Sequence, residues 1–388
     1  MTYYRRVGAI PRKRHTRHDI GGTVMAEELV GEEGFSGPSS LLYHRTSPSA
    51  IVSIEQADVT PATYTPNQPV SPHHFRTTKL PSGAGDAVTS RIGLLGNSDI
   101  QLSYVTATGT SPLYRNAVGD ELVYVQSGDA VLESVFGRLP VGPGDYVVVP
   151  TGVTHRWVVG APARAQLLVF ESRSHIQIPR KYLTPTGQLA EGAPFSERDL
   201  RGPEPEPLLI DGSDVEVLVQ TRDGYSRHIH RDHPFDVIGW DGCVYPWALS
   251  IHDFEPIVGR IHQPPPVHQT FAGVGFVICS FVPRLFDFDP DAVKVPYHHA
   301  NVDSDEVLFY SDGDFMSRAG SGIGIGSISL HPAGFIHGPQ PGSRERSEGV
   351  DRTGELAVML DTFAPLGVSE AALDVSDPEY PWSWAGGR

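Results

Sequence analysis

The sequence predicts a mainly β protein made of two related barrels, and three observations predict it. Short runs rich in Val, Ile, Tyr and Phe are interrupted every few residues by the 41 Gly and 34 Pro of a 388-residue chain, a rhythm of strands and turns. No helical periodicity persists beyond two or three turns. A pair of motifs also occurs twice in the same order, so the two halves are copies of one architecture.

The first motif reads YRNAVGDELVYVQSGD at 114–129 and HANVDSDEVLFYSDGD at 299–314. Asn116 matches Asn301, Asp120 matches Asp305, Glu121 matches Glu306, and Gly128-Asp129 matches Gly313-Asp314, all at an offset of 185. The second reads GDYVVVPTGVTH at 144–155 and GSISLHPAGFIH at 326–337, both G-x5-P-x-G-x2-H, at an offset of 182. In a chain of this composition that pattern is expected about 0.02 times by chance; it occurs twice. Each half therefore reads as a hairpin closed by a Gly-Asp turn, followed by a Gly-bounded strand whose Pro-x-Gly turn leads into a histidine. Alternation along ELVYVQSGDAVLESV and EVLFYSDGDFMSR gives each hairpin one buried face. The expected division is 1–225 and 226–388, with the Pro-, Gly- and charge-rich stretch 174–207 as the irregular connection.

Charge and cysteine content narrow the function. A formal net charge of −16, with acids spread along the chain, argues against a nucleic-acid partner, which needs a concentrated basic face. The exception is the start, MTYYRRVGAIPRKRHTRH, with six Arg and Lys residues, expected to pack on the rest of an acidic protein or on a neighbouring subunit. It has no apolar core of a secretory signal, and no run of about 18 apolar residues exists to span a bilayer. Only Cys243 and Cys279 are present, too few for a disulfide framework or a cysteine zinc site, so a cytoplasmic protein without a membrane partner is expected.

Strand geometry selects among the histidines. Residues two apart share a face, so His299 and Asn301 point one way while His298 and Ala300 point the other. The repeat picks His299, seven residues before Glu306, and His337 arrives from the second motif. Two imidazoles and one carboxylate form a facial set that leaves coordination positions open and suits non-haem Fe(II). The first half keeps Glu121 and His155 but has Tyr114 where the second has His299. The metal is therefore expected in the second half alone, with Glu121 and His155 as hydrogen-bonded residues of a barrel that has lost its site.

Both motif pairs resemble the signatures of the cupin superfamily, whose fold is a double-stranded β-helix or jelly roll, and the duplication makes the chain similar to a bicupin. A narrower resemblance runs along almost the whole chain, to the homogentisate 1,2-dioxygenase family. It is carried by AEELVGEEGFSGPSSLLYHRTSP, PTGQLAEGAPFSERD, HPFDVIGWDG, DFEPIVGRIHQPPPVHQTF, VPYHHANVDSDE and SLHPAGFIHGPQPG. The resemblance implies Fe(II) on His299, Glu306 and His337, although the spacing between the first histidine and the glutamate differs by one residue from the family's. It implies His262 as the acid/base that takes a proton from a ring hydroxyl, with His268 close enough in sequence to be the alternative. It also implies contacts to a small aromatic substrate from Tyr297, His331 and His337; His331 could instead orient His337. Where the family has a tyrosine facing the ligand this chain has Phe315, which removes a hydrogen-bond donor from the pocket. The implied reaction adds both atoms of O2 to an aromatic acid such as homogentisate, in a trimer-based homo-oligomer. Gentisate or another hydroquinone, a cupin isomerase or hydrolase, and a non-catalytic metal-binding bicupin are the competing readings.

Overall fold

The computed structural model describes residues 3–81, 83 and 85–385; Met1 and Thr2 of the basic segment and the last three residues of the second half lie outside them. Nearly all regular structure is antiparallel sheet. In the first half a nine-stranded sheet centred on Glu121–Ser127, Asp145–Val149, Ala165–Ser172 and Ile100–Ala107 accompanies a seven-stranded sheet containing Ala130–Ser134, His155–Val158 and Leu113–Asn116. In the second half a six-stranded sheet contains Asp305–Asp312 between Leu356–Thr362 and Ser327–His331. The opposing wall there is thinner, formed by the short pair Arg284–Leu285 with Arg352–Thr353 and by the bridge between His299 and His337.

The central strands explain their own composition. Glu121–Ser127 and Asp305–Asp312 are buried along nearly their whole length. One face of each lines a barrel interior, where Glu306, Leu308 and Tyr310 point. The other face meets the opposite barrel: Tyr124 Oη lies 2.7 Å from Ser311 Oγ, and the Tyr124 ring sits 6.1 Å edge-on from Phe309. Two buried faces make the strands near-continuous apolar runs instead of strict alternations. The hairpin glycines of the repeat are fixed by close approach, Gly128 (φ +77°) against the Arg164 carbonyl and Gly313 (φ +91°) against the Gly354 carbonyl, so a Cβ at either would collide with backbone.

The repeated aspartates pin the histidine-bearing loops. Asp120 accepts from the Thr151 N–H at 2.8 Å and Asp305 from the Ala333 N–H at 2.8 Å, each inside the Pro-x-Gly turn that precedes the histidine. The two motifs of each half are thereby clamped to one another, which is why they recur as a pair.

The halves do not divide at 225/226 as expected. That boundary falls inside the hairpin of Ser213–Thr221 with Gly224–Asp232, and strands are exchanged across it. Trp247–Ser250 pairs with Asp145–Val149, His73–Arg76 pairs with Ser327–His331, and Gly367–Val368 pairs with Ile92–Gly96. Edge strands present unpaired N–H and C=O groups, and here each barrel covers edges of the other. The basic start packs on its own chain: Arg5–Gly8 pairs with Val237–Gly242, and Arg14 Nε meets Asp241 Oδ1 at 2.7 Å. Among the described residues no helix is long and apolar enough to cross a membrane.

Candidate metal centre

Residues 299 and 337 face one another across a two-way backbone bridge, each N–H donating to the other's carbonyl at 2.9 Å. Directly opposed strand residues bring their side chains together, and the two imidazole centroids lie 4.3 Å apart. The first half pairs Tyr114 with His155 in the same way.

Glu306 completes the group. His299 Nε2 lies 3.6 Å from Glu306 Oε2 and His337 Nε2 lies 3.2 Å from Glu306 Oε1, and one ligand atom from each of the three residues falls within 4.8 Å of the others. Both imidazoles are oriented by backbone: His299 Nδ1 donates to the Tyr297 carbonyl and His337 Nδ1 to the Phe335 carbonyl, each at 3.1 Å. With the proton on Nδ1, each Nε2 presents a lone pair. Two lone pairs aimed at a carboxylate need a cation between them, and imidazole nitrogen with carboxylate oxygen suits a divalent transition metal. The donor set fits.

Burial works against the Glu306 charge, but with a second proton on Nε2 of His299 and His337, hydrogen bonds from His299, His331 and His337 outweigh it and hold the carboxyl well below the usual range; a bound cation would take the place of those two protons. The bond to Glu306 outweighs burial for His299 as well and raises its imidazole.

His331 is not at the cavity wall. It is completely buried, its ring stacked 3.9 Å from that of His337. Burial pushes it down to about 3, so it is neutral, with Nδ1 donating to Glu306 Oε1 at 2.9 Å and Nε2 accepting from Tyr380 Oη at 2.9 Å. This corrects the expectation of a substrate contact: His331 orients Glu306, and its strand position directly opposite Glu306 is the reason. Phe315 is also set back, its ring edge-on to Tyr310 in an apolar cluster with Leu308 and Met359. Those two line the cavity while Phe315 stands behind them, so the substitution at 315 lies behind the wall.

The centre opens into a cavity of about 230 Å³ whose walls include His268, Asn301, Arg318, Met359 and Asp361. An outer pocket of about 770 Å³ adjoins it, and His262 and Tyr297 line both. His262 is half exposed, 3.7 Å from Asp287 and edge-on to the Tyr297 ring at 5.1 Å. His268 is deeper, stacked on Phe281 at 4.4 Å, and burial lowers it to about 3.

Asp361 was not foreseen. It lies opposite Glu306 on the adjacent strand and receives a hydrogen bond from Asn301 Nδ2 at 3.3 Å; burial and the nearby Glu306 charge push it up to about 7. Its signal was present in the sequence, because Glu171 stands opposite Glu121 in the same way: a single acid inside LLVFES and AVMLDT.

Comparison with known proteins places the chain. The Cupin domain family matches residues 103–171. A Saccharolobus solfataricus protein named "Putative dioxygenase" is 40% identical over 390 residues, covering 99% of each chain. Homogentisate 1,2-dioxygenases are more distant: that of Emericella nidulans is 25% identical over 67% of this chain and 60% of its own length, and that of Caenorhabditis elegans 26% identical over 78% and 69%. A cupin 2 conserved barrel domain protein from Leptotrichia buccalis aligns over 79% of this chain and 100% of its own, at 9% identity with a TM-score of 0.35. With 40% identity along nearly its whole length, the chain belongs to the dioxygenase family of the Saccharolobus solfataricus protein, built on the cupin fold.

Proposed function

We propose that the chain is a ring-cleaving dioxygenase for a hydroquinone-type aromatic acid, homogentisate first among them, with Fe(II) held by His299, Glu306 and His337. The observation that supports this is the pair of imidazoles whose Nδ1 protons are committed to backbone carbonyls, turning both Nε2 lone pairs toward Glu306. Iron bound there supplies open positions for substrate and dioxygen and a path for electrons between them.

The residues of the chain do the rest. A ring hydroxyl must release its proton before the ring can give up electrons, and a neutral imidazole is the acceptor available. His262 stands where the inner cavity meets the outer pocket, with Asp287 beside Nδ1. It can take the proton on Nε2 and hand it outward. Tyr297, next to it, can hydrogen-bond a ring hydroxyl. Phe281, Leu308 and Met359 supply apolar wall against the ring. For homogentisate the product would be maleylacetoacetate, a step of tyrosine and phenylalanine breakdown.

The test is oxygen consumption by Fe(II)-loaded protein with homogentisate, gentisate and unsubstituted hydroquinone side by side. Uptake with homogentisate and formation of a ring-opened acid are expected. Uptake with gentisate alone would replace the named substrate, and no uptake with any of the three would overturn the reading.

A further inference from the structure

We propose that Arg318 selects the substrate by pairing its guanidinium with a carboxylate carried on the aromatic ring. The inference rests on the ring-cleaving reading above and assigns the group that recognises the acid.

Arg318 follows the strand that carries Glu306 and lines the same cavity. It is 7% exposed. Buried arginines are normally matched by carboxylates, because an unpaired charge away from water is costly. Arg91, its side chain 8% exposed, obeys this: it grips Glu121 and Glu171. Arg318 does not. Among the described residues it forms no ion pair within 4.0 Å, and its hydrogen bonds run to neutral oxygens, from Nε to Tyr310 Oη at 3.1 Å and from Nη1 to the Gly338 carbonyl at 2.9 Å. Those two bonds fix the plane of the guanidinium, with donor capacity left over from a fork of five N–H groups.

Its position suits a ligand that also reaches the metal residues. Its Nη1 donates to the carbonyl of Gly338, the residue after His337, and it shares the cavity wall with His299 and Glu306. A one-ring acid with a hydroxyl at the metal residues could therefore set its carboxylate against Arg318 without leaving the cavity. The two other Lys or Arg side chains on this wall differ from it: Arg284 is 3.3 Å from Glu355, and Lys294, only partly buried, donates to the Asp287 carbonyl. An uncharged hydroquinone would leave the guanidinium unpaired.

The experiment compares wild type, Arg318→Lys and Arg318→Met, each Fe(II)-loaded, with homogentisate and hydroquinone as substrates. Losing a charge-assisted bond should raise KM for homogentisate on the order of 10–100-fold in Arg318→Met, with hydroquinone kinetics little changed and partial recovery in Arg318→Lys. An equal loss with both substrates would assign Arg318 a purely structural role and overturn the proposal. Should Arg318→Met fail to fold, wild-type protein answers by equilibrium binding: phenylacetate should bind measurably, competitively with homogentisate, and benzyl alcohol should not. Equal binding of the two would also overturn it. This binding measurement needs no turnover, so the arginine is judged even if none of the hydroquinones reacts and the ring-cleaving reading falls.

Discussion

Arg91 holds both oxygens of Glu121, Nη1 and Nη2 each at 3.0 Å, at the position where the second barrel sets Glu306 before two imidazoles. Arg91 also reaches Glu171 at 3.1 Å, so both acids of the first barrel share one guanidinium; against burial, its charge and bonds hold Glu121 low, while burial and the Glu121 charge push Glu171 up. The equivalent acids of the second barrel, Glu306 and Asp361, have no Lys or Arg within 4.0 Å among the described residues. The duplication has thus kept a pair of carboxylates in both barrels and satisfied it differently, by an arginine in one and by a histidine pair fit for a metal in the other.

Arg91→Met should therefore damage stability and leave the metal centre alone. Removing one partner of a buried ionic cluster costs about 3–5 kcal/mol, because Glu121 and Glu171 remain buried without a counter-charge. Thermal or urea unfolding would show the loss. Metal content per folded protein should equal that of wild type, and a fall in it would mean the two barrels are coupled more tightly than their separate acid pairs suggest.

Glu306→Gln should abolish high-affinity metal binding. The substitution keeps the shape, removes the charge that balances a divalent ion, and leaves only two nitrogen ligands. The loss should exceed the roughly 100-fold that an outer partner is worth. Metal analysis after dialysis against Fe(II) or a Co(II) surrogate measures it; wild-type metal content in the variant would exclude this carboxylate as a ligand.

Tyr380→Phe and His331→Phe probe the support behind that carboxylate. Tyr380 bonds His331, and His331 bonds Glu306, so the two variants should weaken metal affinity in graded fashion. His331→Phe should lose about 10–100-fold, in the range of outer-shell partners, and Tyr380→Phe less. The reverse order would mean that Tyr380 acts by packing against Trp384, 5.2 Å away, instead of through the histidine.

How legible this centre was in the sequence follows from where its parts lie along the chain. His299, Glu306 and His337 sit inside the repeated motifs, and the offset of 185 put Glu306 and Glu121 in equivalent strands, as their pairing partners confirm. Tyr380 and Arg318 carry no repeat and no spacing rule; they meet the centre through a C-terminal segment and a turn whose paths only packing decides. The exchange of His73–Arg76 and Gly367–Val368 between barrels was hidden for a related reason. Two- to four-residue edge strands have little periodicity, and their partners lie more than 250 residues away. The resemblance left His331 either a substrate contact or a support beside His337, and its depth, which favours support, is set by packing that the motif does not encode.

A buried ion cluster far from the metal centre sets a pH dependence of stability. His44 is held by Asp236 at 2.6 Å and by Glu28 at 2.9 Å. Burial lowers it, but these bonds outweigh burial and raise it to about 9. A raised pKa favours the protonated folded form, so the contribution, on the order of 3 kcal/mol, is fully present below pH about 6.5 and is lost as pH rises through 9. The stability advantage of wild type over His44→Gln should shrink across that window. An NMR titration placing the His44 imidazole near 6.5 would contradict it.

On the proposed reaction, access favours His262 over His268 as proton acceptor. His268 is buried against Phe281 and Arg284 lies close enough to lower it further, so a proton taken there would add charge to a dry site beside a cation. His262 has Asp287 at 3.7 Å and is half exposed, so a proton taken there can leave to water. His262→Gln should therefore lower kcat by about 10²–10⁴-fold, the span of general base catalysis, with metal content unchanged. His268→Gln should alter KM more than kcat, through the shape of the cavity wall. If the kcat loss falls on His268 instead, proton transfer runs through the inner wall, and the outer pocket serves only for entry and exit of the substrate.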